Sequence, residues 1–159
     1  GITPEIIRQG NRFLQGDFKN RLRGKLNPAS QTKTIVITPV ARCKDSLHGE
    51  NAPHDGVHHC DQFIGCISCP SCAIVGSVED LYRLFSFQEY LKRELPALDS
   101  KELQDYVKKM IMFIDDFCAE SFPVDIIRRA RGKVVRKIHP FWAMKIQRSE
   151  SARIHGGVQ

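Results

Sequence analysis

The chain is poor in tryptophan and has no long apolar run. Phe, Trp and Tyr make up 8% of its 159 residues, with a single tryptophan. No stretch approaches the roughly 20 consecutive apolar residues that a membrane-spanning helix needs. The longest apolar cluster, residues 110–114 with Phe117, has the spacing of an amphipathic helix. No internal repeat or low-complexity segment is visible, and no apolar leader precedes the first polar residues. The chain opens on Gly1 rather than Met, so an upstream domain is kept as an expectation. Acidic charge is also short: 18 Asp and Glu stand against 24 Lys and Arg, a net charge of +6. A basic surplus favours acidic partners, nucleic acid first. The 42% hydrophobic content is ordinary for a globular chain of this length, and a single domain over residues 1–159 is expected.

Cysteine, by contrast, is concentrated. Five of the six cysteines fall between Cys43 and Cys72, with His48, His54, His58 and His59 among them. The spacing is Cys60-x5-Cys66-x2-Cys69-x2-Cys72, with Cys43 upstream. Two residues between thiols is the turn geometry that offers both sulfurs to one zinc ion. The two x2 pairs overlap on Cys69, so one tetrahedral ion cannot use every sulfur comfortably. The expected site is a structural zinc held by Cys43, Cys60, Cys66 and Cys69, with Cys72, His58 and His59 in reserve. Disulfides, unrelated reduced thiols and an iron–sulfur cluster are the alternatives. Reduced cysteines would place the chain in the cytoplasm. A zinc deaminase would need His-x-Glu ahead of Pro-Cys-x-x-Cys, and that signature is missing.

The expected fold is α+β and mostly α, with four to five helices and a small two-stranded zinc knot. Residues 1–31 read as an N-terminal helix and loop. Thr3, Pro4 and Glu5 start the helix, and Ile7, Leu14, Phe18 and Leu22 form its apolar face. Arg8, Arg12, Lys19, Arg21 and Arg23 face the other way, and Gly24 stops the helix. Residues 32–76 hold the knot. Residues 32–40 read as a strand, β-branched from Thr34 to Thr38 and closed at an edge by Pro39, and Cys43 follows it. Residues 44–56 have loop composition. Ala73, Ile74 and Val75 suggest a second strand pairing with the first. Residues 77–150 read as a helical core. Ser77 and Asp80 form a capping-box variant for a helix over 78–95 that buries Leu81, Leu84, Phe85 and Leu91. Asp99 and Ser100 cap the next, carrying Leu103, Val107, Met110, Ile111, Ile114, Phe117 and a core Cys118. Pro123 opens a third with Ile127, Ala130, Val134 and Ile138 inward. His139-Pro140 ends it before a last short helix or turn anchored by Phe141 and Trp142.

Between residues 127 and 153 there are nine cations against Glu150 alone. Arg128, Arg129, Arg131, Lys133, Arg136 and Lys137 are the candidate nucleic-acid contacts, because each phosphate neutralised releases counterions. The bland alternative is a solvated face paired with Asp115, Asp116 and Glu120.

The run Cys43-Lys44, Cys60-Asp61-x-Phe63-x-Gly65-Cys66-x-x-Cys69 and Glu79-Asp80-Leu81-Tyr82-Arg83-Leu84-Phe85-Ser86-Phe87 resembles a segment of bacterial tyrosine-type site-specific recombinases, the phage-integrase-like proteins of mobile elements. It covers about forty-five residues. The resemblance implies Cys43, Cys60, Cys66 and Cys69 as the recurring cysteines, and a role in DNA integration and recombination. The family's catalytic His-x-x-Arg is absent, and Tyr82, Tyr90 and Tyr106 sit in structural helices, so no catalytic residue is assigned. The expected function is a non-catalytic, zinc-stabilised DNA-binding or assembly module of an integrase-like protein, working with a recombinase catalytic domain. The alternative is a protein–protein module with a purely structural zinc and a solvated basic face.

Overall fold

The computed structural model describes residues 4–15, 36–43, 52–55, 57–61, 63–69 and 72–156. Five α-helices and three short strands lie in these segments: α1 Pro4–Gln15, β1 Val36–Ile37, β2 Arg42–Cys43, β3 Cys72–Ala73, α2 Val78–Glu94, α3 Lys101–Ser121, α4 Val124–Arg136 and α5 Pro140–Gly156. The fold is thus mostly helical with one small antiparallel sheet, and no described helix is long and apolar enough to cross a membrane. Several expectations lie outside the described residues: the Thr3 cap, Phe18 and Leu22, the cations Lys19, Arg21 and Arg23, the Gly24 stop, the start of the first strand, and most of the 44–56 loop.

The chain divides into two compact units, Gly1–Leu81 and Tyr82–Gln159, with the boundary inside α2. In the first unit the sheet has the order β1-β2-β3. Thr38 explains why it is three-stranded rather than two-stranded. Its N–H donates to Ala41 O at 2.8 Å, and its hydroxyl donates to Ala41 O at 2.7 Å while accepting from Ala41 N at 3.0 Å. Those bonds fold residues 38–41 into a tight turn around Pro39, so the expected single strand stops at Ile37 and the chain doubles back as β2. Sequence pattern cannot show a two-residue strand such as β2, because it is too short for alternation. β3 consequently pairs with β2, not with β1. Among the described residues of this unit, Ile7, Val40, Ala41, Ala52, Ile67, Cys69, Cys72, Ala73, Ile74 and Leu81 are the buried apolar ones.

Arg42 ties the sheet to the start of α2. Its Nε donates to Asp80 Oδ1 at 2.9 Å and its Nη2 to Oδ2 at 3.1 Å. Asp80 N donates to Ser77 Oγ at 3.0 Å, and Ser77 Oγ donates to the Asp80 carboxylate, completing the expected cap. The carboxylate is only 4% exposed, and a bidentate guanidinium supplies the charge-assisted bonds that make such burial tolerable.

The second unit is helical. Leu84, Phe85, Phe87 and Leu91 of α2 are buried against Val107, Met110, Ile114, Phe117 and Cys118 of α3, with Ala130 and Trp142. Ser100 caps α3 by accepting from Leu103 N at 3.1 Å. Pro96 lies in a 3-10 turn, Leu95–Ala97, that ends α2. Pro123 stands at the N-cap of α4. The last element is longer than the short helix or turn expected: α5 runs for 17 residues. Helix formers Ala143, Met144, Lys145 and Gln147 sustain it. Trp142, 1% exposed, fastens it to Phe87 and Tyr90 through ring contacts at 5.0 and 5.1 Å.

Candidate metal centre and basic face

In the first unit the sheet and a pair of turns bring the cysteines together. Cys43 of β2 lies directly opposite Cys72 of β3 in the antiparallel register, and opposed residues in a sheet project to the same face. Upstream, Cys66 N donates to Phe63 O, Cys69 N to Cys66 O and Cys72 N to Cys69 O at 3.0–3.1 Å. These successive i→i+3 turns follow the 3-10 turn Phe63–Gly65. These turns bring the x2-spaced Cys66, Cys69 and Cys72 towards one cavity. All five cysteines, with His59, Phe63, Val36 and Ile37, line one cavity of about 180 Å³. Desolvation pushes the Cys66 thiol well above its ordinary pKa, and Cys72, Cys60, Cys69 and Cys43 add to the shift. Cys66 therefore sits where it feels every other thiol of the group.

None of the six cysteines is joined in a disulfide. Among the described residues no group of three or more His, Cys, Asp or Glu is drawn together as a ready-made metal site. The donor set is nonetheless all-sulfur and convergent, which suits zinc and other thiophilic ions. Of the reserve ligands, Cys72 joins the cavity and so does His59. His58 does not: its ring Nδ1 meets Asp55 Oδ2 at 2.5 Å, and the side chain is 76% exposed. Asp55 also accepts from the His58 and Val57 backbone N–H groups, and those bonds hold its carboxyl down at about 2. This turn accounts for the Asp55–His58 pairing without a metal. Spacing by itself did not reveal that Cys72 faces Cys43, because that proximity depends on the unforeseen β2.

The six candidate cations of the second unit separate into two groups. Arg128, Arg129, Arg136 and Lys137 are exposed, Arg129 with its Nη1 4.0 Å from Asp125 Oδ2 one turn earlier. Arg131 is not free: its Nη1 donates to Gln88 Oε1 at 2.5 Å, its Nη2 pairs with Asp115, and its guanidinium lies 3.7 Å from the centre of the Phe85 ring. Gln88 is itself fully buried, donating through Nε2 to Ile111 O at 3.0 Å and to Asp115 Oδ1 at 2.7 Å. Lys133 sits 4.6 Å over the Tyr82 ring. Both therefore spend their charge inside the unit, and the expected pairing with Asp115 is realised at Arg131. Arg8 of α1 similarly pairs with Glu5 at 2.6 Å. Among the tyrosines, Tyr82 Oη donates to Lys137 O at 2.7 Å, and Tyr106 is buried with its hydroxyl lacking a hydrogen-bond partner among the described residues. Trp142 is a core residue rather than an exposed stacking platform.

No protein-family model, no curated protein sequence and no solved structure matches this chain.

Proposed function

We propose that the chain is a non-catalytic, zinc-stabilised module that binds DNA, an accessory part of an integrase-like recombinase. The observation that carries the metal half is the convergence of Cys43, Cys60, Cys66, Cys69 and Cys72 on one cavity. A small unit gains from a staple beyond its apolar core. Zinc bound by thiolates supplies one, because the ion's binding free energy becomes folding free energy. Such a site closes on the ion, so the thiols need not stand at bonding distance beforehand. Cys43, Cys60, Cys66 and Cys69 would hold the metal. Cys72 and His59 remain beside them as exchangeable donors.

The DNA half rests on the cations left at the surface of α4 and its exit: Arg128, Arg129, Arg136 and Lys137. Arg129 and Arg136 stand seven residues apart, two turns along one stripe.

Metal content by mass spectrometry, with melting before and after chelation, tests the first half. One zinc per chain and a lowered melting temperature on chelation are expected. Protein that purifies without metal and ignores the chelator would overturn it. A mobility shift on duplex DNA at about 50 mM salt tests the second half, where electrostatic contacts are strongest. Charge reversal at Arg128, Arg129 and Arg136 should abolish the shift. Absence of any shift, with capture of an acidic protein by the same surface, would favour the protein–protein module.

A further inference from the structure

The second unit carries a cleft of about 330 Å³ that no local sequence pattern announces. One wall is the last turn of α4 and its exit, with Val134, Val135, Arg136, Lys137 and Ile138. The other is a single face of α2, with Glu89 and Arg93. We infer that this cleft seats the sugar–phosphate backbone of a nucleic acid, with Arg93 of α2 as a contact residue alongside Arg136 and Lys137. The inference rests on the DNA reading above and adds to it a cavity, a residue from a different helix and a binding mode.

Charge comes first. Three cations line the cleft against one carboxylate, and that carboxylate is already engaged: Arg93 Nε lies 3.4 Å from Glu89 Oε1. A guanidinium has five N–H donors in a fixed fork, so one such bond leaves the terminal nitrogens available to a phosphate. Neither Arg136 nor Lys137 has an ion-pair partner among the described residues, and both are exposed. Among the described residues the cleft therefore holds a surplus of positive charge, three cations against one carboxylate.

The end of α4 would ordinarily oppose an anion, since unpaired carbonyls gather at a helix C-terminus. Here the last of them is occupied: Tyr82 Oη donates to Lys137 O at 2.7 Å. Lys137 itself has left the helix, with φ −162° and ψ 118°.

Apolar groups are the second component. Val134, Val135 and Ile138 lie between the cations, and Val135 is 87% exposed. A lone inorganic anion gains nothing from them, whereas the C–H faces of a sugar do. The third component is length. Arg129 continues the stripe of Arg136 away from the cleft by seven residues, about 10 Å of helix. That spans about three nucleotide steps at 3.4 Å per step along one strand. A repeating polyanion fits this arrangement better than a single anion.

The test is binding of the full chain to fluorescent duplexes of several unrelated sequences across a salt series. The variants are Arg93→Gln and Lys137→Gln, one from each wall, with Lys108→Gln on an exposed part of α3 as control. Melting curves confirm folding in each. Each cleft variant should weaken binding about tenfold, equally for every sequence, and lower the slope of log affinity against log salt by about 1. Lys108→Gln should change neither. If the unaltered chain binds duplex and both cleft variants match it in affinity and slope, the cleft inference falls and the DNA reading stands. If the unaltered chain binds no duplex, both fall together. Binding to polyglutamate with none to duplex would also overturn the inference and would mark the cleft as a site for an acidic protein.

Discussion

Arg131 is held in an intramolecular network, unlike the surface cations proposed to meet DNA, and Arg131→Met makes the difference measurable. The change keeps an apolar stem over Phe85 but removes every donor. Its largest cost falls on Gln88, which is fully buried and whose Oε1 accepts from Arg131. Leaving a buried acceptor unpaired costs about 1–3 kcal/mol. The pair with Asp115 adds little, because the two side chains are 35% and 49% exposed and solvent holds such pairs below about 1 kcal/mol. Loss of the cation over the Phe85 ring adds about 0.5–1 kcal/mol, part of which the Met sulfur recovers by packing on the ring. The sum is about 2–3 kcal/mol. With a urea dependence of about 2 kcal/mol per M, the unfolding midpoint of the second unit falls by about 1–1.5 M. Duplex affinity measured well below that midpoint stays within about twofold of the parent, far less than the tenfold loss of a 1.4 kcal/mol contact. An unchanged midpoint with a tenfold weaker complex would refute the reasoning and return Arg131 to the DNA-contacting group. A cycle with Gln88→Ala adds a second check: residues in one network should miss additivity by about 1 kcal/mol.

Other outcomes follow from particular side chains. Asp80→Ala strips Arg42 of its bidentate partner and α2 of part of its cap. It should destabilise the first unit by about 2–3 kcal/mol, less than the 3–5 of a fully buried pair because Arg42 is 31% exposed; urea unfolding measures it. Burial raises the Tyr106 pKa from 10.0 to about 12, so the unfolded chain ionises first. Stability is level with respect to this group below pH 10, falls between pH 10 and about 12, and flattens beyond. Tyr106→Phe should remove that portion of the alkaline loss while costing no more than about 0.5 kcal/mol at neutral pH, since the hydroxyl has no partner to lose; a steeper alkaline loss in the variant would contradict this. Cys118, 1% exposed and pushed up to about 12 mainly by burial, should resist iodoacetamide in the folded protein and react only after denaturation.

The helical half was legible because its signals are local. Ser77 and Ser100 are caps recognisable from the side chain alone, Pro96 and Pro123 fall at helix ends, and the apolar positions of α2 and α3 recur over enough turns to fix a face. α5 was misjudged because its apolar pattern is weak, and what holds it is Trp142 inserted between the rings of Phe87 and Tyr90, a contact made by residues about fifty positions apart.

The amino-acid sequence by itself determined the chemistry on offer: five clustered thiols, three of them at turn spacing, a surplus of cations towards the C-terminal end, and the start of each capped helix. Tertiary structure decided which of those groups meet. The Thr38 turn creates β2 and so sets Cys72 opposite Cys43, making Cys72 a member of the thiol cavity rather than a bystander. The packing of α2 against α3 and α4 turns Arg131 inward to Gln88 while leaving Arg129 and Arg136 outside, and it joins Arg93 to Arg136 and Lys137 across one cleft. The physical reason is the same throughout. Capping and periodicity are encoded within a few residues, whereas the partner of a thiol or a guanidinium is fixed only when distant segments are brought together by burial.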